Sequence, residues 1–220
     1  MISYDFTGKV VVVTGSARGI GRRIAEHFYE AGAMIALCSR STEGKEALMQ
    51  EIAGDDRSRI MAASCDVSKP HEIETFLQSV VDKFGTIDVL VNNAGIYSKE
   101  DVRDVSEAQW DRVMDTNLKS VFFASQWFCQ YHCAAKTTGN IVNIASVSSV
   151  TFVPDNALYN VSKAGVVTLT KTFARAMGPN GIRVNAVGPG SIPTDLNAEL
   201  YKDPQVEKAL CEKIPLGRRG

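Results

Sequence analysis

The run Val10-Val11-Val12-Val13 constrains this chain more than any other feature: four consecutive β-branched residues with apolar side chains on both faces of any strand they form. Such a strand belongs inside a parallel sheet that helices cover on either side. Thr14-Gly15 follows at once, and then Ile20, Ile24, Phe28 and Ala31 recur at helical spacing and stop before Gly32. The alternation repeats. Further strands are expected at Met34–Cys38, Arg59–Ser64, Ile87–Val91, Asn140–Ile144 and Ile182–Val187. Helices are expected near Glu43–Ile52, Glu72–Phe84, Glu107–Asn117, Leu118–Ala135 and Tyr159–Met177. Apolar strands alternating with helices predict an α/β chain built as one doubly wound parallel sheet in three layers, αβα.

A length of 220 residues with 45% apolar content suits a single domain with a full core. Lys and Arg number 24 against 25 Asp and Glu, and the pI is about 6.3, so no basic field favours nucleic acid or an anionic membrane. No apolar run is long enough to span a bilayer. Met1 to Phe6 has no basic stretch leading into an apolar one, so the expected location is cytoplasmic. The five cysteines, Cys38, Cys65, Cys129, Cys133 and Cys211, form no CxxC pair and are expected to be reduced. Cys129, His132 and Cys133 fall at i, i+3 and i+4, a spacing that could gather soft metal ligands. Their neighbours Phe122, Phe123, Trp127 and Phe128 favour ordinary buried thiols instead, and no metal site is expected.

In doubly wound sheets ligands sit beyond the carboxyl ends of the strands. There the first strand yields Thr14-Gly15-Ser16-Ala17-Arg18-Gly19-Ile20-Gly21, which opens the first helix and lets backbone N–H groups approach a pyrophosphate. Gly15 allows the turn, Gly19 the close approach and Gly21 the packing of helix on strand. A bare glycine-rich turn is the competing reading. The spacing is GxxxGxG, and the loop lacks the Lys-Ser/Thr ending of an ATP-binding P-loop. Near the end of the second strand, where an acid would hold a ribose 2′-hydroxyl, the chain has Ser39-Arg40. A guanidinium there can pair with a 2′-phosphate, and Arg18 is a second cation within the loop. Together they favour NADP(H) over NAD(H).

Taken in order, these residues resemble the short-chain dehydrogenase/reductase family over nearly the whole chain. The resemblance rests on Thr14–Gly21, Asp66-Val67, Asn92-Asn93-Ala94-Gly95, Asn117, Ser146, Tyr159-x-x-x-Lys163 and Asn185-x-Val187-x-Pro189-Gly190. It implies a Rossmann-type fold and a nicotinamide-dependent reaction on a small carbonyl or alcohol. It further implies that Asp66 and Val67 flank the adenine and that Asn93, Ala94 and Gly95 line the cofactor cleft. Pro189 and Gly190 belong to the same cleft, where Ile192 and Thr194 hold the carboxamide. Asp66 is open to a second reading as a helix-starting acid, since Ser68 and Pro70 follow it. The family also implies that Lys163 holds the nicotinamide ribose, that Asn117 anchors a proton relay, and that the protein is a homodimer or homotetramer. Its members usually continue past a segment like Ile214–Gly220 with another helix and a last strand; without them the 182–187 strand is expected to be a sheet edge.

The chemistry can be argued from the residues themselves. Tyr159 and Lys163 are four apart on one helix face. Lowering a phenol by about three pKa units takes roughly 4 kcal/mol. A cation about 4 Å away at an effective dielectric of ~20 supplies that amount. Tyr159 is therefore expected to act as general acid or base, with Ser146 orienting the same oxygen. Substrate contacts are expected from residues 96–102, 147–156 and 191–201, where Phe152, Val153 and Pro154 offer an apolar wall and Ser148, Ser149, Asp155 and Asn156 offer polar groups. An acyl-carrier β-keto substrate and a sugar or polyol both stay open, Lys99 and Arg103 being candidates for an acidic carrier or simple surface charges. A rival function is a non-catalytic NADP-binding redox sensor, which has no need of Asn117, Ser146, Tyr159 and Lys163 together.

Overall fold

The structure, a computed structural model, describes residues 4–41, 43–151, 155–194 and 202–220. All six expected strands form: β1 (Val10–Thr14), β2 (Met34–Ser39), β3 (Ile60–Ser64), β4 (Val89–Asn92), β5 (Gly139–Ile144) and β6 (Ile182–Val187). They make one sheet in the order β3-β2-β1-β4-β5-β6, parallel at every pairing. The chain winds from β1 out to β3, then returns to the centre and winds the other way from β4 to β6. That reversal opens a crevice beyond the carboxyl ends of β1 and β4.

The pleat of β1 explains the four valines. Val10 and Val12 enter a core with Phe76, Leu77, Phe128 and Ile141, whereas Val11 and Val13 enter a second core with Ala25, Leu48, Met49 and Ile144. All four are fully buried, each worth on the order of 1.5–3 kcal/mol of transfer free energy. The first core is covered by α3 (Pro70–Phe84) and α5 (Ser120–Ala135), the second by α1 (Gly19–Glu30) and α2 (Lys45–Ala53). Helix α6 (Ala157–Met177) packs along β6.

Three expectations need correction. Residues 87 and 88 precede β4: the Ile87 carbonyl accepts from His132 Nε2 at 2.9 Å, while the Asp88 N–H donates to Val10 O at 2.8 Å, its carbonyl accepts from Asn140 N–H at 3.0 Å, and its carboxylate accepts from the Val10 N–H at 2.9 Å and from Lys9 at 3.0 Å. Helix α4 (Glu107–Met114) does not end and restart before α5; the two run on through a π-helical turn at Asp115–Lys119. An additional helix, α7 (Pro204–Cys211), was not expected. Its signals are local: Asp203 accepts from the Gln205 N–H at 2.8 Å, and Pro204 takes the first turn, where a missing N–H costs nothing.

His132 is buried, and both ring nitrogens meet protein oxygens, Ile87 O and Thr137 Oγ1 (2.7 Å). It ties α5 to the entry of β4 rather than presenting a lone pair beside Cys129, which is buried, and Cys133, which is exposed. Strand β6 buries Ile182 and Val184 and exposes Arg183, Asn185, Ala186 and Val187; among the described residues it pairs on one side alone. No described helix is long and apolar enough to cross a membrane.

Candidate active site

A cleft of about 780 Å³ occupies the crevice. Gly15, Arg18, Gly19, Ile20, Gly21, Ser39, Arg40, Val67, Asn93, Ala94, Gly95, Ser146, Tyr159, Lys163, Pro189, Gly190, Ile192 and Thr194 line it. Two residues expected to touch a cofactor, Ser16 and Asp66, are not among those that line the cleft. Ser16 is buried beneath the loop, with its N–H (3.2 Å) and hydroxyl (3.4 Å) both donated to the Cys38 carbonyl, so it fastens the turn to β2. Asp66 lies beside the lining residues Cys65 and Val67, and its Oδ1 accepts from the Ser68 N–H (3.1 Å) and hydroxyl (2.8 Å). Burial works against its charge, but those bonds, with Lys69 and Arg40 nearby, hold its carboxyl below the ordinary value. These contacts close a turn ahead of α3 and do not reach its N–H groups, since the helix begins at Pro70 after Lys69 with no side-chain cap.

The glycine loop packs closely against the loop after β4 by what it omits. A Cβ on Gly15 would lie 2.7 Å from Ala94 Cα, and one on Gly21 would lie 2.6 Å from the Gly15 carbonyl and strike the Asn93 amide. Gly15 and Gly19 have φ of 64° and 58°, in the left-handed region. The first turn of α1 carries no acidic residue, and Arg18 at its start makes no side-chain cap, so the leading N–H groups and the positive end of the helix are left for an anion. The loop after β4 locks against this turn: Thr14 Oγ1 accepts from Asn93 N–H (3.0 Å) and Ala94 N–H (3.1 Å), and Asn93 Nδ2 donates to the carbonyls of Thr14 (2.9 Å) and Gly15 (3.0 Å).

Asn117 reaches the site through the π turn. It is fully buried, its Oδ1 accepts from Ile96 N–H at 2.8 Å, and its Nδ2 donates to Ile96 O at 2.9 Å and Ser162 Oγ at 3.2 Å. It therefore braces the strand-end loop from behind the cleft, against α6. Tyr159, Ser146 and Lys163 form the facing wall. Tyr159 is hydrogen-bonded to Ser146, whose Oγ also accepts from Ser148 N–H at 3.1 Å. Lys163 is buried, donates from Nζ to the Ile144 carbonyl at 2.7 Å, and lies 5.7 Å from the Tyr159 ring centre.

The electrostatics of this wall are set by burial. Burial pushes the Tyr159 phenol above its ordinary value, which the Ser146 bond offsets only in part, and burial brings the Lys163 ammonium down to about 8. Desolvation disfavours the charged form of both groups. Lys163 gives its short bond to the Ile144 carbonyl.

Ala17, Ser41, Glu43, Cys65, Thr116, Ile144 and Ala145 also line the cleft without having been assigned to it, and Ile96, expected on the substrate side, lines it too. Most are neighbours of motif residues, a signal that position next to a strand end could have supplied. The buried chain from Asn92 Nδ2 to Asn143 Oδ1 (2.9 Å), and from Asn143 Nδ2 to Thr170 Oγ1 (2.9 Å), joins β4, β5 and α6 and leaves no periodic trace in sequence. Residues 152–154 and 195–201, expected to contact substrate, lie outside the described residues. Lys99 and Arg103 are paired with Asp155 (3.6 Å) and Asp101 (2.5 Å).

The family model described as short chain dehydrogenase matches residues 9–205. The chain is 39% identical over 213 residues to a 3-oxoacyl-[acyl-carrier-protein] reductase of Staphylococcus epidermidis, covering 96% of this chain and 86% of that protein. To glucose 1-dehydrogenase 2 of Bacillus subtilis it is 34% identical, covering 96% and 82%. Among solved structures, a short-chain type dehydrogenase/reductase from Mycobacterium marinum superposes with a TM-score of 0.92 at 34% identity, over 98% of this chain and 84% of that one. A variant of actinorhodin polyketide ketoreductase, solved with NADPH, gives a TM-score of 0.87 at 30% identity, over 100% and 87%. With the fold, the crevice and a family match across most of its length in agreement, this chain belongs to the short-chain dehydrogenase family of oxidoreductases.

Proposed function

We propose that this protein interconverts a carbonyl and a secondary alcohol with NADP(H), using Tyr159 as general acid in reduction and general base in oxidation. The observation that carries the reading is the wall formed by Ser146, Tyr159 and Lys163 across the cleft from the glycine loop. A nicotinamide dinucleotide bound here supplies or accepts the hydride. Gly15, Gly19 and the first turn of α1 hold its pyrophosphate, Val67 borders its adenine, and Ile192 and Thr194 hold its carboxamide. Ser146 fixes the substrate oxygen beside the phenol, Lys163 stabilises the phenolate that follows proton transfer, and Asn117 keeps the loop at Ile96 in place.

The preference for NADP(H) rests on Arg18 and Arg40 in the cleft wall, with Ser39 where an acid would hold a ribose hydroxyl. Glu43 shares that wall but follows three residues after Arg40, so the two guanidinium groups outnumber it. Substrate candidates follow the relatives' names: a β-keto ester standing in for a 3-oxoacyl thioester, and glucose in the oxidative direction.

Tyr159→Phe keeps the ring and removes the transferable proton. NADPH affinity is expected to stay near native by fluorescence titration, while single-turnover hydride transfer falls by roughly 10² to 10⁴. Near-native transfer sinks the reading, and NADPH binding by the native protein without turnover on either probe favours the sensor. Arg40→Ala should weaken NADPH by about 10- to 100-fold, the worth of a charge-assisted hydrogen bond, and leave NADH nearly unchanged. Equal losses for the two cofactors overturn the NADP(H) assignment.

A further inference from the structure

Tyr97 follows the loop that lines the cleft after β4, and it meets the catalytic wall twice. Its ring stands edge-on to Tyr159, 5.4 Å between centres at 62°. That falls inside the range in which aromatic pairs attract. Its hydroxyl donates to Asn156 Oδ1 at 2.7 Å. Asn156 occupies the position just before α6, where an asparagine ordinarily turns its oxygen onto the helix's own N–H groups. Here it makes no such cap, and the oxygen goes to Tyr97.

The same segment is stitched to the start of α6 along its length. Glu100 N–H donates to the Asp155 carbonyl at 3.0 Å, Glu100 and Asn156 form a parallel bridge, and Lys99 pairs with Asp155 at 3.6 Å. Tyr159 sits three residues past Asn156, in the first turn of the helix. Ser146 bonds the phenol oxygen at one end of Tyr159, and the Tyr97 ring adds a second contact at the ring itself. We infer that Tyr97 is a positioning residue for the proposed proton donor, its ring fixing the plane of the Tyr159 ring while its hydroxyl anchors Asn156 and with it the first turn of α6. The inference rests on the reading above that Tyr159 transfers the proton.

The test uses the full chain with NADPH and a panel of β-keto esters and ketoses, taking the compound that the native protein reduces fastest. Tyr97→Leu removes both contacts, Tyr97→Phe keeps the ring, and Asn156→Ala removes the anchor. Tyr97→Leu should slow single-turnover hydride transfer roughly 10- to 100-fold, the cost of a misplaced reacting group, with NADPH affinity and KM little changed. Tyr97→Phe should recover most of the rate. Its residual loss should match that of Asn156→Ala, and the double variant should lose no more than either single one, the sign of a shared contact.

A Tyr97→Leu rate near native overturns the inference, as does a loss seen in KM and melting temperature while kcat holds. If the leucine variant does not fold, the Tyr97→Phe and Asn156→Ala cycle decides: additive losses reject the anchor, and non-additive losses support it. Tyr159→Phe run beside them separates the two ideas. Should it abolish transfer while Tyr97→Leu leaves it intact, the inference about Tyr97 alone fails. Native transfer by Tyr159→Phe, or no turnover by the native chain on the whole panel, overturns the proposed function and this inference with it.

Discussion

The two sides of the crevice hold their chemistry by opposite means. On the β1 side the site is made of absences: glycines with no room for a Cβ, and a helix start with no side chain over its N–H groups. On the β4–β6 side it is made of side chains that brace one another, Asn117 against Ile96 and Ser162, Tyr159 against Ser146, and Lys163 against Ile144. The first arrangement is fragile to addition and the second to removal. On the proposed function, the loop would grip phosphates through its backbone and needs closeness, and the wall would move protons and needs direction.

Asn117→Ala should give the largest effect, because it strips partners from the half-buried N–H and C=O of Ile96 and empties a fully buried position. Each stranded group costs about 1–3 kcal/mol, to be read as a lowered urea midpoint together with lost turnover. Unchanged stability would show that the catalytic side does not depend on this brace. Gly21→Ala attacks the other side by adding one methyl. The new Cβ meets the Gly15 carbonyl at 2.6 Å, and overpacking of this kind costs roughly 1–3 kcal/mol, with dinucleotide affinity falling in the same variant. Native affinity at reduced stability would separate the packing of the loop from its grip on the cofactor.

Lys163→Met reads out as a pH dependence: the cost of burying the ammonium is fully present near neutrality and is relieved in alkali. The folded value of about 8 lies below the free value of 10.5, so between them the unfolded chain holds a proton that the folded chain has released. Stability of the native protein relative to the variant should therefore rise as pH goes from about 8 to 10.5 and be level below that window. A difference that stays flat across the window would mean that the ammonium is not desolvated.

Much of the β1 side was legible because its determinants are contiguous. Four valines, three glycines and a 3.6-residue period lie within some twenty residues, and a both-faces-apolar strand has few places to go. Tyr159 and Lys163 were equally visible, four apart on one helix. What their surroundings do to them was not. The bond from Lys163 to Ile144, and the burial that raises the phenol, depend on a strand 19 residues away. Ser16 and Asp66 show the same limit from the other direction. Both sit within the motifs, yet Ser16 bonds to Cys38, 22 residues on, and Asp66 to its neighbour Ser68, and neither lines the cleft. The Tyr97–Asn156 contact spans 59 residues and announces itself by no spacing at all.

The π turn between α4 and α5 has a consequence for length rather than for chemistry. A helix rotates by about 100° per residue, and a π turn carries one residue more than an α turn. The segment 115–119 therefore takes up one extra residue within a helix that otherwise runs on from α4 to α5, and the widened turn is where Asn117 faces Ile96. A substitution at Thr116 or Leu118 stays a local event. Deleting Asp115, Thr116, Leu118 or Lys119 would let the turn close as an ordinary α turn, leave α4 and α5 nearly in phase, and move Asn117 off Ile96 without altering one functional side chain.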